Sequence, residues 1–250
     1  MASFFSSLLD LLRPARTDQA PAPVPASAVA SGIDVSHLQG QIDWPRVAQA
    51  GISFAFVKAT EGAGFVDPQF SANWNGIKDA GIIRGAYHFF HPAKPVAAQV
   101  DNFVNTVGEL AANDLPPVLD LEEVITTAGD EWRQVPPGDR VLLAMNWLQA
   151  AGERMGRRPI VYTRLGFVAS ELPGAGPLAQ YPLWIAHYTT QPSPAMPSIW
   201  SKWTFWQYSQ SGMVGGVNGL VDLDRFDGSP SGLLGVATAG ISAGETAPGL

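Results

Sequence analysis

Two acidic residues separated by one position give the clearest chemical signal in this sequence. In the apolar run Val118-Leu119-Asp120-Leu121-Glu122, strand alternation would point Asp120 and Glu122 to the same face, with Cα atoms about 6.5–7 Å apart. Two carboxylates this close oppose each other's ionisation, so the pKa of one should rise, which gives a proton donor beside an ionised partner. This pairing is typical of glycoside hydrolysis, although it also occurs at solvated strand ends.

Other polar side chains follow apolar runs in the same way. These residues stand at or just past the ends of runs rich in Val, Ile and Phe: Asp34, Glu61, His88, Tyr162, His187, Gln207, Asp222 and Asp224. A buried carboxylate without a partner costs several kcal/mol or becomes protonated. So many acidic side chains at the ends of apolar strands therefore indicate a functional site.

The elements that would position these side chains alternate between strand and helix. Eight strands are predicted, at Ile33–Ser36, Phe54–Thr60, Ile82–Phe89, Pro117–Glu122, Pro159–Arg164, Leu183–Tyr188, Thr204–Ser209 and Val221–Phe226. Helices are predicted at Trp44–Ala50, Pro68–Ala80, Pro95–Ala112 and Gly138–Met155. The repeated strand-helix order favours a parallel β/α barrel, in which the carboxyl ends of the strands form the active face. Connections after Arg164 are short or rich in proline, so we expect the second half to be irregular.

The composition describes a chain with enough apolar residues for a large core. The 250 residues are 46% hydrophobic and 15% charged, which excludes a disordered chain. No apolar run approaches the roughly 18–20 residues that cross a bilayer. The net charge of −7 and the absence of a basic cluster argue against nucleic acid as a partner. The chain has no cysteine, which excludes disulfides and thiolate metal sites.

Both ends of the chain differ in composition from the middle. Residues 1–16 have the pattern of a short amphipathic helix, and a Pro/Ala-rich linker follows up to residue 30. Three interpretations of this segment stay open: one that docks on a partner or a membrane surface, a secretory leader, or a leader without a structural role. Residues 229–250 are rich in Gly, Ala and Ser and are predicted to be a flexible tail, which leaves 31–228 for the barrel.

Eight motifs follow one another between residues 32 and 228. They are Gly32–Gly40, Phe56–Gly62, Arg84–Phe89, Leu119–Glu122, Pro159–Thr163, Leu183–Tyr188, Phe205–Ser209 and Val221–Asp224. In this order they resemble glycoside hydrolase family 25, the lysozymes or N-acetylmuramidases of the phage endolysin and bacterial autolysin type. One such motif has modest specificity, whereas seven or eight in family order are highly specific.

The resemblance implies an irregular, flattened, TIM-like β/α barrel that cleaves the β-1,4 bond between N-acetylmuramic acid and N-acetylglucosamine in peptidoglycan. It implies Glu122 as the general acid, with Asp34, Asp120 and Asp222 as the other active-site carboxylates. It also implies a retaining reaction, for which we favour attack by the acetamido group of the substrate, with Asp120 in the supporting position.

The resemblance further implies a sugar-binding groove. The side chains that would line it are Glu61, Tyr87, Tyr162, Trp184, Tyr188 and Gln207, with aromatic rings on sugar faces and polar groups on hydroxyls. One position departs from the family pattern: Asp224 stands where the family more often has Asn, and this affects a groove contact rather than catalysis.

Two other classes of function stay open on the residues alone. A catalytically silent glycan-binding barrel is one, although all four carboxylates are present; a hydrolase of a related N-acetylhexosamine polymer such as chitin is the other. A metal site of His88, His91, Asp120 and Glu122 is not expected, because strand alternation separates His91 from the others. We expect no cofactor, a monomer, and action on the bacterial wall outside the cytoplasm. The export route stays open between delivery by a phage, by a secretion system and by a holin.

Overall fold

The computed structural model describes residues 29–238. The strands are β1 (Ser31–Val35), β2 (Phe54–Glu61), β3 (Phe65–Val66), β4 (Ile83–Phe89), β5 (Val118–Asp120), β6 (Ile125–Thr126), β7 (Gly129–Asp130), β8 (Ile160–Arg164), β9 (Leu183–Ala186), β10 (Phe205–Gly212) and β11 (Val221–Phe226). The helices are α1 (Trp44–Gln49), α2 (Phe70–Asp79), α3 (Val96–Val107), α4 (Pro137–Met155), α5 (Leu165–Glu171) and α6 (Pro230–Thr238). Short 3-10 helices cover His37–Gln39, Glu131–Gln134 and Gly176–Gln180.

Eight of these strands close into a barrel. Their order is β1-β11-β10-β9-β8-β5-β4-β2, and the pairing of β1 with β2 completes the circle. The two-residue strand β3 pairs with the end of β2, and β6 pairs with β7 in a separate small sheet. The predicted eight-stranded α/β barrel is therefore confirmed.

The barrel is mixed rather than fully parallel, which corrects the expectation from the strand-helix order. Strand β11 runs antiparallel to both of its neighbours, β10 and β1. The other barrel pairs are parallel. A parallel crossover needs about a dozen residues or more, and only residues 213–220 connect β10 to β11. The short connection therefore imposes a hairpin.

Strand alternation divides the apolar side chains between two cores. On β2, Phe54 and Phe56 point into the barrel, whereas Ala55 and Val57 pack against the surrounding helices. Apolar side chains that fill the barrel interior are Phe54, Phe56, Val118, Ile160, Trp184, Phe205 and Phe226. Burial of each large side chain contributes about 1.5–3 kcal/mol. These apolar side chains fill the barrel interior beneath the carboxyl ends of the parallel strands, where the polar side chains lie.

The segment after the last strand corrects a second expectation. Residues Pro230–Thr238 form α6 instead of the start of a flexible tail. Leu233 and Ala237, one helical turn apart, are fully buried in the barrel-interior cluster, which also contains Ala30 and Phe226. Because Ala30 precedes β1 and Phe226 ends the antiparallel β11, α6 covers the amino end of the barrel. The predicted helix in residues 1–16, most of the linker and residues 239–250 lie outside the described residues.

The helices lie where the sequence predicts them, with differences at their ends. Helix α3 ends at Val107 rather than near Ala112, because Gly108 adopts a left-handed φ of 71°. After β8 the connections shorten as expected, since α5 has only seven residues and a 3-10 helix precedes β9. Between residues 29 and 238, no helix is both long and apolar enough to cross a membrane.

Candidate active site

The carboxyl ends of the parallel strands surround a polar cavity of about 230 Å³. Its lining consists of Asp34, Tyr87, Asp120, Glu122, Tyr162, Trp184, Tyr188, Gln207, Gln210 and Asp222. Nine of the ten predicted site residues belong to this set. Glu61 lies outside it, and Gln210 is a lining residue that the sequence motifs do not indicate.

Four acidic side chains reach the cavity from neighbouring strands. Asp34 on β1 stands opposite Asp222 on β11 in the antiparallel register. Asp120 is the last residue of β5, so Glu122 lies two residues beyond the strand, which is shorter than predicted. Alternation nevertheless continues past the strand end, because Leu121 is fully buried in the outer core while both acidic neighbours line the cavity.

The segment that contains Glu122 is held by hydrogen bonds on both sides. The indole Nε1 of the fully buried Trp132 donates to the backbone oxygen of Glu122 at 2.8 Å. The backbone N–H of Leu121 donates to the carbonyl of Tyr162 at 2.9 Å. These contacts hold in place the backbone from which the Glu122 side chain extends.

The four carboxylates have no salt-bridge partner within the described range, residues 29–238. Burial raises the pKa of Glu122, and the charges of Arg164 and Lys58 offset part of that effect. Burial also raises the pKa of Asp120, with the charge of Glu122 as the second cause. Burial raises the pKa of Asp222, and burial followed by the charges of Asp224 and Asp222 raises that of Asp34. Such a cluster holds protons at a pH at which isolated carboxylates are ionised.

Gln207 is oriented by two phenols. The hydroxyl groups of Tyr162 and Tyr188 donate to its Oε1 at 2.9 Å and 2.8 Å. Its Nε2 therefore points the other way and donates to Asp34 Oδ2 at 2.7 Å. Burial raises the pKa of Tyr162 and raises that of Tyr188 to about 12, so both phenols stay protonated donors at ordinary pH.

Trp184 forms an aromatic part of the cavity lining. Its ring stacks on Phe56 with centroids 4.3 Å apart, and Tyr162 meets it edge-on at 4.6 Å. Its Nε1 donates to Asp224 Oδ1 at 2.8 Å. Asp224 is fully buried and is absent from the cavity lining. Asp224 therefore contacts the cavity-lining Trp184 without lining the cavity itself.

The family model described as Glycosyl hydrolases family 25 matches residues 33–217, a span with three of the four carboxylates. The chain belongs to glycosyl hydrolases family 25. This family 25 chain is 40% identical over 215 residues to Lysozyme M1 of Streptomyces globisporus, covering 82% of the chain and 70% of the relative. It is 41% identical over 170 residues to the uncharacterized protein YegX of Escherichia coli K12, covering 66% of the chain. The match spans 58% of YegX, which is less than two thirds of that relative.

Solved structures of related proteins share the barrel of this family 25 chain. The lysozyme from Streptomyces coelicolor superimposes with a TM-score of 0.79 at 38% identity, covering 85% of this chain and 98% of that one. The muramidase from Acremonium alcalophilum gives a TM-score of 0.75 at 30% identity, covering 84% and 99%. The described barrel is therefore the fold of the family.

In this family 25 chain Glu61 belongs to a second charged cluster, which we call the His91 clamp: Lys58, Glu61, His91 and Glu131. His91 Nε2 lies 2.9 Å from Glu61 Oε1, and His91 Nδ1 lies 3.2 Å from Glu131 Oε1. Lys58 Nζ lies 2.5 Å from Glu61 Oε2. The hydrogen bond from His91 lowers the pKa of Glu61 to about 2, and that bond raises the pKa of His91. These partners hold Glu61 outside the cavity. Its place in the sugar groove stays a prediction.

His88 is a structural residue of the barrel wall. It is fully buried, its Nδ1 lies 2.7 Å from Thr60 Oγ1, and its Nε2 lies 3.1 Å from Gln99 Oε1. Its ring stacks on Trp147 with an interplanar angle of 12°. Burial lowers the pKa of His88 to about 3, so the ring is neutral at ordinary pH. Among the described residues, no group of three or more His, Asp or Glu side chains is arranged to hold a metal ion.

Proposed function

We propose that this chain is a lysozyme of the N-acetylmuramidase type, which hydrolyses the β-1,4 bond between N-acetylmuramic acid and N-acetylglucosamine in peptidoglycan. The observation that carries the proposal is the cavity in which four carboxylates converge without a salt bridge inside residues 29–238. A fold that used these residues only as structure would pair them, because an unpaired buried charge costs several kcal/mol. The relatives include proteins named as lysozymes and a muramidase, which supports the same substrate.

Glu122 is proposed as the general acid. Burial raises its pKa, so the side chain retains a proton at a pH at which a free glutamate is ionised. That proton would pass to the glycosidic oxygen as the bond from C1 to this oxygen breaks. The 4-hydroxyl of N-acetylglucosamine would then leave as a neutral group, which removes the cost of expelling an alkoxide.

Asp120 is proposed to assist the substrate's own acetamido group. Its Oδ1 is buried and has no hydrogen-bond partner among the residues that the structure describes. An acetamido N–H would satisfy this acceptor and would turn the acetamido oxygen toward C1. That oxygen would bond to C1 as the glycosidic bond breaks, and water would reopen the ring with its proton passing to the Glu122 carboxylate. Two displacements at C1 predict retention of configuration.

Asp34 and Asp222 are proposed to stabilise the positive charge that develops at C1. Both belong to the cavity lining and face each other across the β1–β11 pair. Electrostatic stabilisation by groups that are already in position avoids reorganisation during the reaction. Tyr87, Tyr162, Trp184 and Tyr188 are proposed to contact the sugar rings, with Gln207 holding the phenols in place.

Digestion of purified peptidoglycan tests the reaction and the acid together. Wild-type protein and Glu122→Gln are compared, the products are reduced with borohydride, and the newly formed reducing sugar is identified. We expect reduced N-acetylmuramic acid from the wild type and a loss of about 10²–10⁴ in rate for Glu122→Gln, with binding retained. Glu153→Gln on the exposed face of α4 is the matched control, because it makes the same change away from the cavity.

Each other product contradicts a defined part of the proposal. Reduced N-acetylglucosamine would mean that the barrel cleaves the other bond of the glycan strand. Cleavage of chitin, supplied in a parallel digestion, without cleavage of peptidoglycan would mean that the substrate is another N-acetylhexosamine polymer. No new ends from either protein would favour a glycan-binding barrel. In the same assay the rate should be bell-shaped in pH with an acidic-to-neutral optimum, because one carboxyl must be protonated while its neighbours are ionised. A profile that is flat from about pH 4 to 9 contradicts this mechanism.

The substrate implies a site of action outside the cytoplasm, and residues 1–28 are proposed to serve delivery. The barrel itself begins at Ala30, whose N–H donates to Gly228 at 3.2 Å and whose carbonyl accepts from Phe226 at 3.0 Å. Deletion of residues 1–28 should therefore leave the hydrolysis of soluble peptidoglycan fragments intact while delivery to the wall is lost. Equal delivery by the shortened chain would exclude this role.

A further inference from the structure

Arg164 lies at the carboxyl end of β8, at the same end of the barrel as Glu122. In the parallel pair of β5 and β8, the register partner of Asp120 is Tyr162. The pairing continues for one more bond, from the backbone N–H of Leu121 to the carbonyl of Tyr162 at 2.9 Å. Two residues further along each chain, Glu122 is therefore level with Arg164. Helix α5 follows directly, so the backbone of Arg164 is held on both sides.

The side chain of Arg164 forms an ion pair with Glu123, the residue that follows Glu122. Nη2 of Arg164 donates to Oε2 of Glu123. Glu122 lines the cavity and Glu123 does not. The pair therefore joins the segment beyond β5 to the end of β8 from outside the cavity. Since both side chains are partly exposed, at 50% and 35%, such a pair contributes little to stability.

The charged groups that face Glu122 come from four different strands or their ends. They are Arg164 on β8, Lys58 on β2, Asp222 on β11 and Asp120 on β5. Burial raises the pKa of Glu122, and Arg164 is the strongest influence that lowers it. Lys58, the other cation, is bound within the His91 clamp. The phenols nearby stay neutral because burial raises their pKa values; they are those of Tyr87, Tyr162 and Tyr188.

We propose that Arg164 is a positioning residue: Glu123 holds its guanidinium group beside Glu122, where the positive charge favours release of the Glu122 proton. Burial and the neighbouring carboxylates would otherwise make this carboxyl group a weak acid. A general acid is most effective when its pKa lies near the operating pH. That Glu122 is the acid rests on the proposed function. The charge beside Glu122 does not.

The first test measures the pKa of Glu122 by carbon-13 NMR of the glutamate carboxyl groups in the wild type, Arg164→Gln and Arg164→Lys. The Glu122 signal is assigned by its loss in Glu122→Gln. Glutamine removes the positive charge, so at low ionic strength the pKa of Glu122 should rise by about 0.5–1 pH unit. Lysine keeps the charge and should show less than half of that rise. An unchanged pKa in Arg164→Gln, or an equal rise in both variants, would overturn the proposal.

Arg133→Gln is the matched control for this titration. Arg133 lies in the 3-10 helix Glu131–Gln134, is 79% exposed, and has Asp130 as its partner at 3.6 Å. Its charge is not among those that act on Glu122. We expect the pKa of Glu122 to stay at its wild-type value in this variant. A rise equal to that in Arg164→Gln would overturn the proposal, because the net charge of the protein would then explain both results.

The second test measures the contribution of the ion pair. Arg164→Gln is introduced into the wild type and into Glu123→Ala, and the two changes in the pKa of Glu122 are compared. Without Glu123 the arginine side chain is free to move into solvent, where salt and water screen its charge. The rise should therefore be at most half as large in the Glu123→Ala background. Equal rises would overturn the role of Glu123 in placing the charge.

Activity separates failure of this proposal from failure of the proposed function. The NMR titrations need no substrate, so they report on the charge beside Glu122 even if peptidoglycan is not cleaved. In the peptidoglycan digestion, the basic limb of kcat/KM for Arg164→Gln should move up in pH by the same amount as the pKa of Glu122. If the pKa rises but the limb does not follow, this proposal stands and the acid role of Glu122 fails. If the pKa does not rise, this proposal fails whatever the activity.

Discussion

Two acidic clusters lie on the same barrel, and their pKa values are shifted in opposite directions. In the cavity, Asp34 and its three acidic neighbours lack a salt-bridge partner among residues 29–238, and burial raises their pKa values. In the His91 clamp, Glu61 contacts a lysine and a histidine, and its pKa falls to about 2. Both clusters include residues from the ends of barrel strands, so topology alone does not explain the difference.

The difference shows how acidic residues at strand ends can be told apart. Carboxylates in the clamp have counterions and connect β2 with the 3-10 helix at Glu131–Gln134. The cavity carboxylates have no salt-bridge partner within residues 29–238, which favours their protonated forms and costs stability. Function and stability should therefore respond in opposite directions when the two clusters are neutralised.

The largest expected effect comes from neutralising one carboxylate of each kind. Asp34→Asn should lower kcat by about 10²–10³, because a charge in position for the transition state is lost. It should also raise the melting temperature at neutral pH, since burial and neighbouring charges destabilise the Asp34 carboxylate. Glu61→Gln should lower the melting temperature and change kcat far less. Steady-state kinetics and thermal unfolding of both variants, measured at one pH, check the contrast.

Equal responses of these two variants would remove the distinction between the clusters. If Asp34→Asn lost stability and Glu61→Gln lost as much activity, both carboxylates would be structural and catalytic at once. Asp79→Asn, near the end of α2, supplies a control for the loss of one negative charge, and we expect little change in either measurement.

An intermediate effect, on the free energy of unfolding, is expected from replacing the histidine of the His91 clamp. His91→Phe keeps a ring but removes both donors, so the buried Glu131 loses its partner and the free energy of unfolding should fall by about 1–3 kcal/mol near pH 6. The pKa of His91 is raised in the folded state, so its contribution is full below about 6.5 and is lost as pH rises through the higher folded value. Urea unfolding of both proteins from pH 5 to about pH 9 should show the difference shrinking.

His37→Phe is the matched control for this prediction. His37 contacts a single carboxylate, Asp67, at 2.7 Å and is more exposed than His91. We expect a smaller loss of unfolding free energy than for His91→Phe. A loss that is independent of pH in His91→Phe would mean that ring packing, rather than the ion pairs, stabilises the clamp.

The smallest expected effect is at the rim of the cavity. Gln210 is exposed and lines the cavity. Gln210→Ala should raise KM by about three- to tenfold, the equivalent of one hydrogen bond, and leave kcat nearly unchanged. A loss confined to kcat would instead give Gln210 a part in the chemistry.

Where regular alternation holds, the sequence predicted which residues line the cavity. Asp34, Asp120 and Asp222 stand at strand positions whose facing follows from the period of two. Gln210 follows a register shift in the β10–β11 pair between Gln207 and Ser209, so counting by twos from Gln207 does not indicate it. Irregular pairing, which depends on the neighbouring strand, cannot be seen in one strand's pattern.

The remaining differences have the same origin in tertiary contacts. Glu61 has the residue type and strand-end position of a lining residue, and only the distant His91 and Glu131 show why it lies outside the cavity. Helix α6 looks like a tail in composition, yet the open end of the barrel provides a site for Leu233 and Ala237. The antiparallel β11 follows from a short connection that the strand-helix count did not weigh.

The β1–β11 pair also has a consequence for biosynthesis. Asp34 and Gln207, which share a hydrogen bond, are 173 positions apart, and β11 follows still later in the chain. Pairings with such large sequence separation form late, because loop-closure entropy must be overcome first. A nascent chain has its first active-site carboxylate almost at once but completes the cavity only when β11 has left the ribosome. Synthesis of the chain and completion of the cavity are thereby separated in time.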